Sequence, residues 1–439
     1  MSGGIGTRRL GRRPLGLGPG PGVGVGPGVG PRPAKSTGGA AGAEGQSAAL
    51  VDAVRLRLAE LGAEPTTASV AAALRAERPP LGGSDVLEAV HALRSEIVGA
   101  GPLDPLLADP EVTDVLVNAP DEVWVDRGTG LTRAAGISFP DAAAVRRLAQ
   151  RLATAAGRRL DDARPWTDAR LPDGTRLHAV LPPPAVGCTH LSLRVARPRA
   201  FTLEELTAAG SLSPSGARLL RALVAARLSF LVSGGTGSGK TTLLAALLGL
   251  VDPGERIVLA EDSAELRPAH PHVVRLEARP PNQEGLGRID LRELVRQALR
   301  MRPDRLVVGE VRGPEVLDLL TALNTGHEGG CGTVHANTAA DVPARLEALG
   351  SMAGLDRAAL HSQLCSALDA VVHLVRHPGS GQRRVAEVHV LLRDRAGFAV
   401  TAPAAVLSAD GDCHPGPGWG HLVARCAARG IDPGGGGLR

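Results

Sequence analysis

The segment Gly234-Gly-Thr-Gly-Ser-Gly-Lys240-Thr241 constrains the chain more than any other. It follows the apolar run Ser229 to Val232 and precedes a helix-forming stretch that starts at Lys240. It fits the pattern G-x-x-x-x-G-K-[ST] in the strand, loop, helix setting that pattern requires. Glycines let backbone N–H groups curl around phosphate oxygens, and the helix N-terminus adds a favourable dipole. Lys240 would neutralise β/γ charge, and the Thr241 hydroxyl would ligate Mg²⁺. The chain has 49 basic residues but only two lysines, Lys35 and Lys240, so Lys240 is the single body position where arginine was not used. A compact point charge suits a phosphate there. Gly234, Gly235, Thr236, Gly237, Ser238, Gly239, Lys240, Thr241 and Thr242 are the expected nucleotide-binding residues, with ATP and Mg²⁺ as ligands.

A phosphate-cleaving site also needs an acid at a neighbouring strand end for the metal shell, and a second to align or deprotonate water. Leu306-Val-Val-Gly-Glu310 and Ile257-Val-Leu-Ala-Glu261 are apolar runs ending in acids. Glu310 is expected in the metal shell with Thr241. Glu261 is expected to activate water, with Asp262 and Glu265 as alternatives. The stretch from Asn324 through His327 and His335 to Asn337 is polar and Gly-rich, and holds two of the four asparagines. It is expected to form a loop that brings His327 and His335 to the γ-phosphate side.

After about residue 200, apolar strands alternate with helices, which argues for an α/β domain with a parallel-rich sheet. Between 99 and 200, Val112, Val115, Val117, Val123 and Val125 alternate with polar residues, a helix is expected from Asp141 to Ala155, and strands recur at Arg176 to Leu181 and Leu191 to Val195. This predicts a smaller α+β N-terminal domain. Leu50, Val54, Leu58, Leu61 and then Val86, Val90, Leu93, Ile97 recur at helical spacing, so 48–98 reads as a helical lead-in. Residues 1–47, with 16 Gly and 6 Pro, are expected to be a disordered basic tail. Residues 402–439, with a glycine run from Gly434 to Gly437, are expected to be a flexible tail, leaving 201–401 as the nucleotide domain.

The formal charge of +4 is misleading about partners, because the first 46 residues alone carry +5. The remaining body is near neutral, so direct nucleic-acid binding is not expected. Five scattered cysteines without a C-x-x-C pair point to neither a disulfide framework nor a zinc site, and fit a reducing cytosol. No uninterrupted apolar run approaches the ~18 residues needed to cross a bilayer, and the Gly/Pro-rich N-terminus lacks the apolar segment of an export signal.

Gly234 to Thr241, Glu261-Asp-Ser-Ala-Glu265-Leu, Arg300 to Gly313 and Asn324 to Asn337 together resemble the Walker A, Asp box, Walker B and His box of the type II/type IV secretion ATPase superfamily. Gly99 to Asp104, Gly157-Arg-Arg-Leu-Asp161, Asp168 to Arg176 and His272 to Arg279 are similar to its CpaF-like (TadA-type) branch, which serves tight-adherence or Flp-type pilus assembly. The resemblance spans about 85 to 395. It implies a RecA-like P-loop NTPase domain and a homohexameric ring that hydrolyses ATP, docked on an inner-membrane platform protein and so peripheral to the cytoplasmic membrane. It also implies that N-terminal-domain arginines reach the γ-phosphate, for which Arg159, Arg170 and Arg176 lie in matching segments. Leu259-Ala260 and Gly330-Cys331-Gly332 depart from the family's pattern without removing a catalytic group. Two other readings remain open: a conjugation-type DNA-transfer ATPase, and a nucleotide-gated scaffold with little turnover.

Overall fold

The structure is a computed structural model describing residues 53, 54, 56–58, 60, 61, 66–77, 95, 99–128, 130–195, 200–279, 281, 286–377, 379–408 and 412–434. The expected basic tail, Leu50, and the periodic residues Val86 to Ile97 lie outside these. Val54 and Leu58 are buried as the helical spacing predicts, while Leu61 is exposed. A helix that the sequence reading did not single out, Thr67–Glu77 (α1), follows.

The N-terminal domain opens with the short helix Asp104–Ala108 (α2) and strands Asp114–Ala119 (β1), Glu122–Asp126 (β2) and Leu131–Arg133 (β3). Helix Ala142–Ala155 (α3) and strands Trp166–Arg170 (β4), Arg176–Val180 (β5) and His190–Arg194 (β6) complete it. The six strands form one antiparallel sheet in the order β3-β2-β1-β6-β5-β4. The alternating valines supply one face: Val115, Val117, Val123 and Val125 are buried with Leu148, Ala149 and Leu152 of α3. Asp141 caps α3 by accepting a hydrogen bond from the Ala144 N–H at 2.6 Å, which fixes where the helix starts.

The second domain runs Leu203–Ala208 (α4), Pro214–Ala225 (α5), Phe230–Gly234 (β7), Lys240–Leu248 (α6), Ile257–Glu261 (β8), Val273–Glu277 (β9), Leu291–Leu299 (α7), Arg305–Val311 (β10), Glu315–Asn324 (α8) and Cys331–His335 (β11). It continues through Val342–Met352 (α9), Arg357–Ala367 (α10), Ala370–Arg376 (β12), Arg383–Arg393 (β13), Ala399–Leu407 (β14), Cys413–Pro415 (β15) and Trp419–Ala427 (α11). Its nine strands are ordered β15-β14-β13-β12-β7-β11-β10-β8-β9. Pairing is parallel from β12 to β9 and antiparallel from β12 out to β15. The fold is therefore α/β, a parallel-rich sheet domain preceded by a smaller α+β domain. Strands β7 and β8 are buried at every position, as expected when helices cover both faces of a parallel sheet. One face carries α5 and α6, the other α7 to α10.

Two expectations are corrected. Residues 402–434 are not a frayed tail: β14 and β15 extend the sheet, and Leu422 and Cys426 of α11 pack into its core with Ala404, Ala405 and Leu407. Small side chains made this stretch look unable to pack, yet a sheet edge beneath one helix needs only small residues. The Gly-rich stretch before His335 is a loop only over residues 325–330. Residues 331–335 form the strand between β7 and β10, and a Cβ at Gly332 would stand 2.6 Å from the Val308 carbonyl oxygen. Glycine there serves close strand packing rather than mobility.

Candidate nucleotide site

Strand β7 sits between β12 and β11, and its C-terminal end delivers the glycine loop into α6. Ligands of open parallel sheets bind at such strand ends. The loop needs left-handed backbone at Gly237 (φ +69°) and Gly239 (φ +94°), which glycine adopts without strain. A Cβ at Gly234 would lie 2.6 Å from both the Leu374 carbonyl oxygen and Ser238 Oγ, so no larger residue fits.

Lys240 curls back over this loop. Its Nζ donates to the carbonyl oxygens of Gly234 (3.1 Å) and Gly235 (2.8 Å), and stands 3.3 Å from His335 Nδ1. His335 Nε2 is 3.0 Å from Glu310 Oε1. An ammonium can only donate, so Nδ1 accepts from Lys240 and the N–H on Nε2 serves Glu310. Burial lowers the Lys240 pKa, partly countered by the Glu310 carboxylate. Burial and then the Lys240 charge hold His335 below the usual imidazole value, against the pull of Glu310. A neutral His335 with its proton on Nε2 follows from both geometry and charge.

These groups open onto a cavity of about 570 Å³ between the two domains. Thr236 to Thr242, Glu310 and His335 line one side, and Arg127, Arg170, Arg176 and Arg194 of the N-terminal domain the other. Arg267 and Arg383 add two further cations. So basic a wall suits a polyphosphate. Ser238 Oγ, buried in the loop, has no hydrogen-bond partner among the described residues, as expected of a donor aimed at an anion. Among the described residues no cluster of three or more His, Cys, Asp and Glu could hold a metal ion by itself. Mg²⁺ commonly takes one or two protein oxygen ligands and completes its shell with water and substrate phosphates, and a hydroxyl and a carboxylate on this wall are donors of that kind. Thr241 and Glu310, the two residues expected as its ligands, both line the cavity.

Glu261, however, is not on the cavity wall. It is 3 % exposed; its Oε1 accepts the N–H groups of Glu265 and Leu266 at 3.0 Å each, and its Oε2 is buried without a partner among the described residues. Desolvation raises its pKa to about 7, against those two N–H bonds. Glu265, the alternative four residues on, does line the cavity, and its Oε1 is 2.5 Å from Arg176 Nη1. Both acids fall near the end of β8, and sequence cannot say that the strand carries Glu261 into the interior while the turn after it returns Glu265 to the site.

The three expected arginines also separate. Arg170 and Arg176 face each other at the end of the β4–β5 hairpin and both reach the second domain. Arg170 Nη1 meets both oxygens of Glu277 (3.1 and 3.0 Å), and its Nη2 donates to the Ala264 carbonyl oxygen at 2.6 Å. Arg159 pairs with Asp161 and is not among the cavity-lining residues. His327 is also outside the cavity, with Nδ1 3.2 Å from the Ala322 carbonyl oxygen at the end of α8. Gly234 and Gly235 contribute the carbonyls that hold Lys240 rather than wall. Arg383 was missed: its Nε donates to the Gly237 carbonyl oxygen at 2.8 Å from a strand almost 150 residues downstream, a relation with no local sequence signal.

Residues 96–405 match the family described as type II/IV secretion system protein. The chain belongs to that family. Among its relatives, a Mycobacterium tuberculosis protein (strain ATCC 25618 / H37Rv) named for conjugal transfer is 61% identical over 317 residues, covering 71% of this chain and 90% of that one. The conjugal transfer protein TrbB of Rhizobium radiobacter is 33% identical over 288 residues, covering 65% of this chain and 85% of that one. The VirB11 ATPase of the Brucella suis type IV secretion system, solved in complex with sulphate, is 29% identical with a TM-score of 0.35, covering 66% of this chain and 95% of that one. In this type II/IV secretion family member, no helix among the described residues is long and apolar enough to cross a membrane.

Proposed function

We propose that this protein is an ATP-hydrolysing motor of a type II/IV secretion-type apparatus. The observation that carries the reading is the cavity in which Lys240, Thr241, Glu310, His335 and Glu265 meet arginines of the N-terminal domain. Backbone N–H groups of the glycine loop and Lys240 bind the β/γ-phosphates, and Thr241 with Glu310 would hold Mg²⁺, which would supply charge neutralisation at the phosphate oxygens. Incoming γ-phosphate oxygens compete with Glu265 for Arg176. Glu265, released, orients the attacking water and takes its proton, while Arg176 and Arg170 stabilise the charge that develops. His335 donates from Nε2 either to Glu310 or to the phosphate, and so senses which is present.

In the finer reading the motor works as a homohexamer at the cytoplasmic membrane, through a platform protein, and assembles a tight-adherence pilus. The segments similar to the CpaF-like branch support it. The names of the Mycobacterium and Rhizobium relatives favour a second reading, conjugation-type DNA transfer. The near-neutral body counts against direct handling of DNA in either case.

The test is Mg²⁺-ATP turnover against protein concentration, with Lys240→Ala as the blank and mass by light scattering on the same samples. Specific activity that rises with assembly and vanishes in the variant supports the motor. Binding without turnover at any concentration would replace it with a nucleotide-gated scaffold. Single-stranded DNA binding that weakens steeply with salt would favour the DNA-transfer reading.

A further inference from the structure

Beneath the site, one face of the second sheet carries a row of polar side chains that the catalytic reading does not use. Ser233 of β7, the residue before Gly234, lies opposite His373 of β12, which lies opposite Glu387 of β13. Ser233 Oγ and His373 Nδ1 are 2.9 Å apart, with both residues buried. The same ring lies against the backbone of Asn337, two residues beyond His335. Further along the row, His389 joins Glu387 (Nε2 to Oε2, 2.9 Å) and Thr401 (Nδ1 to Oγ1, 3.2 Å). Thr401 Oγ1 donates to the Ala339 carbonyl oxygen at 3.3 Å. The turn that follows His335 is thus hydrogen-bonded to β14 at residue 339 and packs on β12 at residue 337.

We propose that His373 is a positioning residue: it ties the strand that ends in the glycine loop to the turn behind His335, and so holds His335 between Lys240 and Glu310. A buried imidazole needs both nitrogens satisfied. Here the two groups the ring meets belong to segments that flank the nucleotide site. Ser233 precedes Gly234, whose carbonyl holds Lys240; Asn337 follows His335, whose Nδ1 faces the same ammonium. Core packing alone would be served by leucine or valine, which fill the neighbouring positions Leu374 and Val372. Thr401 is the second tether of the same turn. The inference rests on the site assignment above, in which His335 acts at the γ-phosphate.

The experiment uses the full chain, four single variants, His373→Leu, His373→Gln, Thr401→Val and His335→Ala, and the double variant of His373→Leu with His335→Ala. Two quantities are read. The first is kcat and KM for Mg²⁺-ATP; the second is the rate at which diethyl pyrocarbonate modifies His335, followed by mass spectrometry of its peptide. His373→Leu is expected to lower kcat tenfold or more with KM changed less than threefold, and to speed modification of His335 at least threefold. Glutamine can accept from Ser233 and donate to the turn, so His373→Gln should recover most of both. In a His335→Ala background, His373→Leu should cost little further kcat. Thr401→Val should shift both readouts the same way, and serves if His373→Leu does not fold. Parent-like kcat and modification in folded His373→Leu, or losses that multiply in the double variant, would overturn the proposal. If the parent turns over no ATP, the motor reading fails, but His335 reactivity still decides whether His373 positions it.

Discussion

Two glutamates four residues apart end up in opposite surroundings. Glu265 faces the cavity beside Arg176, whereas Glu261 is sealed under the sheet with one oxygen unpartnered among the described residues. Glu265→Gln is therefore expected to cut kcat by a hundredfold or more with little change in nucleotide affinity, and ADP binding by calorimetry alongside turnover checks it. Glu261 makes a stability prediction instead. Its folded pKa of about 7 stands above the ordinary carboxylate value of 4.5, so the native state binds the extra proton across that window. Stability should then fall as pH rises from about 5 to 7, by on the order of 2 kcal/mol. Glu261→Gln mimics the protonated acid, so it should match the parent near pH 5 and melt higher near pH 8, which thermal unfolding at the two pH values reads directly. Lys240, Glu310 and His335 were legible in the sequence, because a phosphate loop and a strand-end acid fix their surroundings within a few residues. Glu265 was only an alternative, and Arg383 was invisible, because each depends on how a distant or turning backbone is finally aimed.

At the scale of elements, strand and helix alternation was readable wherever large apolar residues mark it. It failed where small residues carry the packing. In β11, glycine is needed because the Val308 carbonyl of β10 stands where a Cβ would go. Gly332→Ala should therefore destabilise the chain by about 1–3 kcal/mol, as overpacking does, and a lowered Tm with reduced turnover would show that the strain reaches His335 three residues on. The final helix offers the converse test. Leu422 is completely buried against β14, so Leu422→Ala should cost about 2–5 kcal/mol in denaturant unfolding, the range for large-to-small core changes. A surface-like loss of under about 0.5 kcal/mol would return α11 to the status of an appendage.

For the whole molecule, the site belongs to neither domain alone. Its phosphate loop lies on one sheet and Arg170 and Arg176 on another, so nucleotide should bind only when both are present and should stabilise them together. Mg²⁺-ADP is expected to raise the Tm of the parent by several degrees in a single transition, and to leave Lys240→Ala unmoved. A rise confined to one of two transitions would mean that the N-terminal domain takes no part in binding.

The contacts that cross between the domains have a further consequence. Arg170 with Glu277, Arg176 with Glu265, and Arg376 with Asp126 (3.5 Å) are charge pairs, most of them partly open to water. Ion pairs in such settings are individually weak and are screened as salt is added. The joint between the domains therefore behaves as an electrolyte-tuned spring. It is stiff in dilute buffer and compliant in strong salt, whereas an apolar seam would respond in the opposite sense. Where the turnover-limiting event is the parting of the two domains, added salt should quicken each cycle until phosphate binding itself begins to fail.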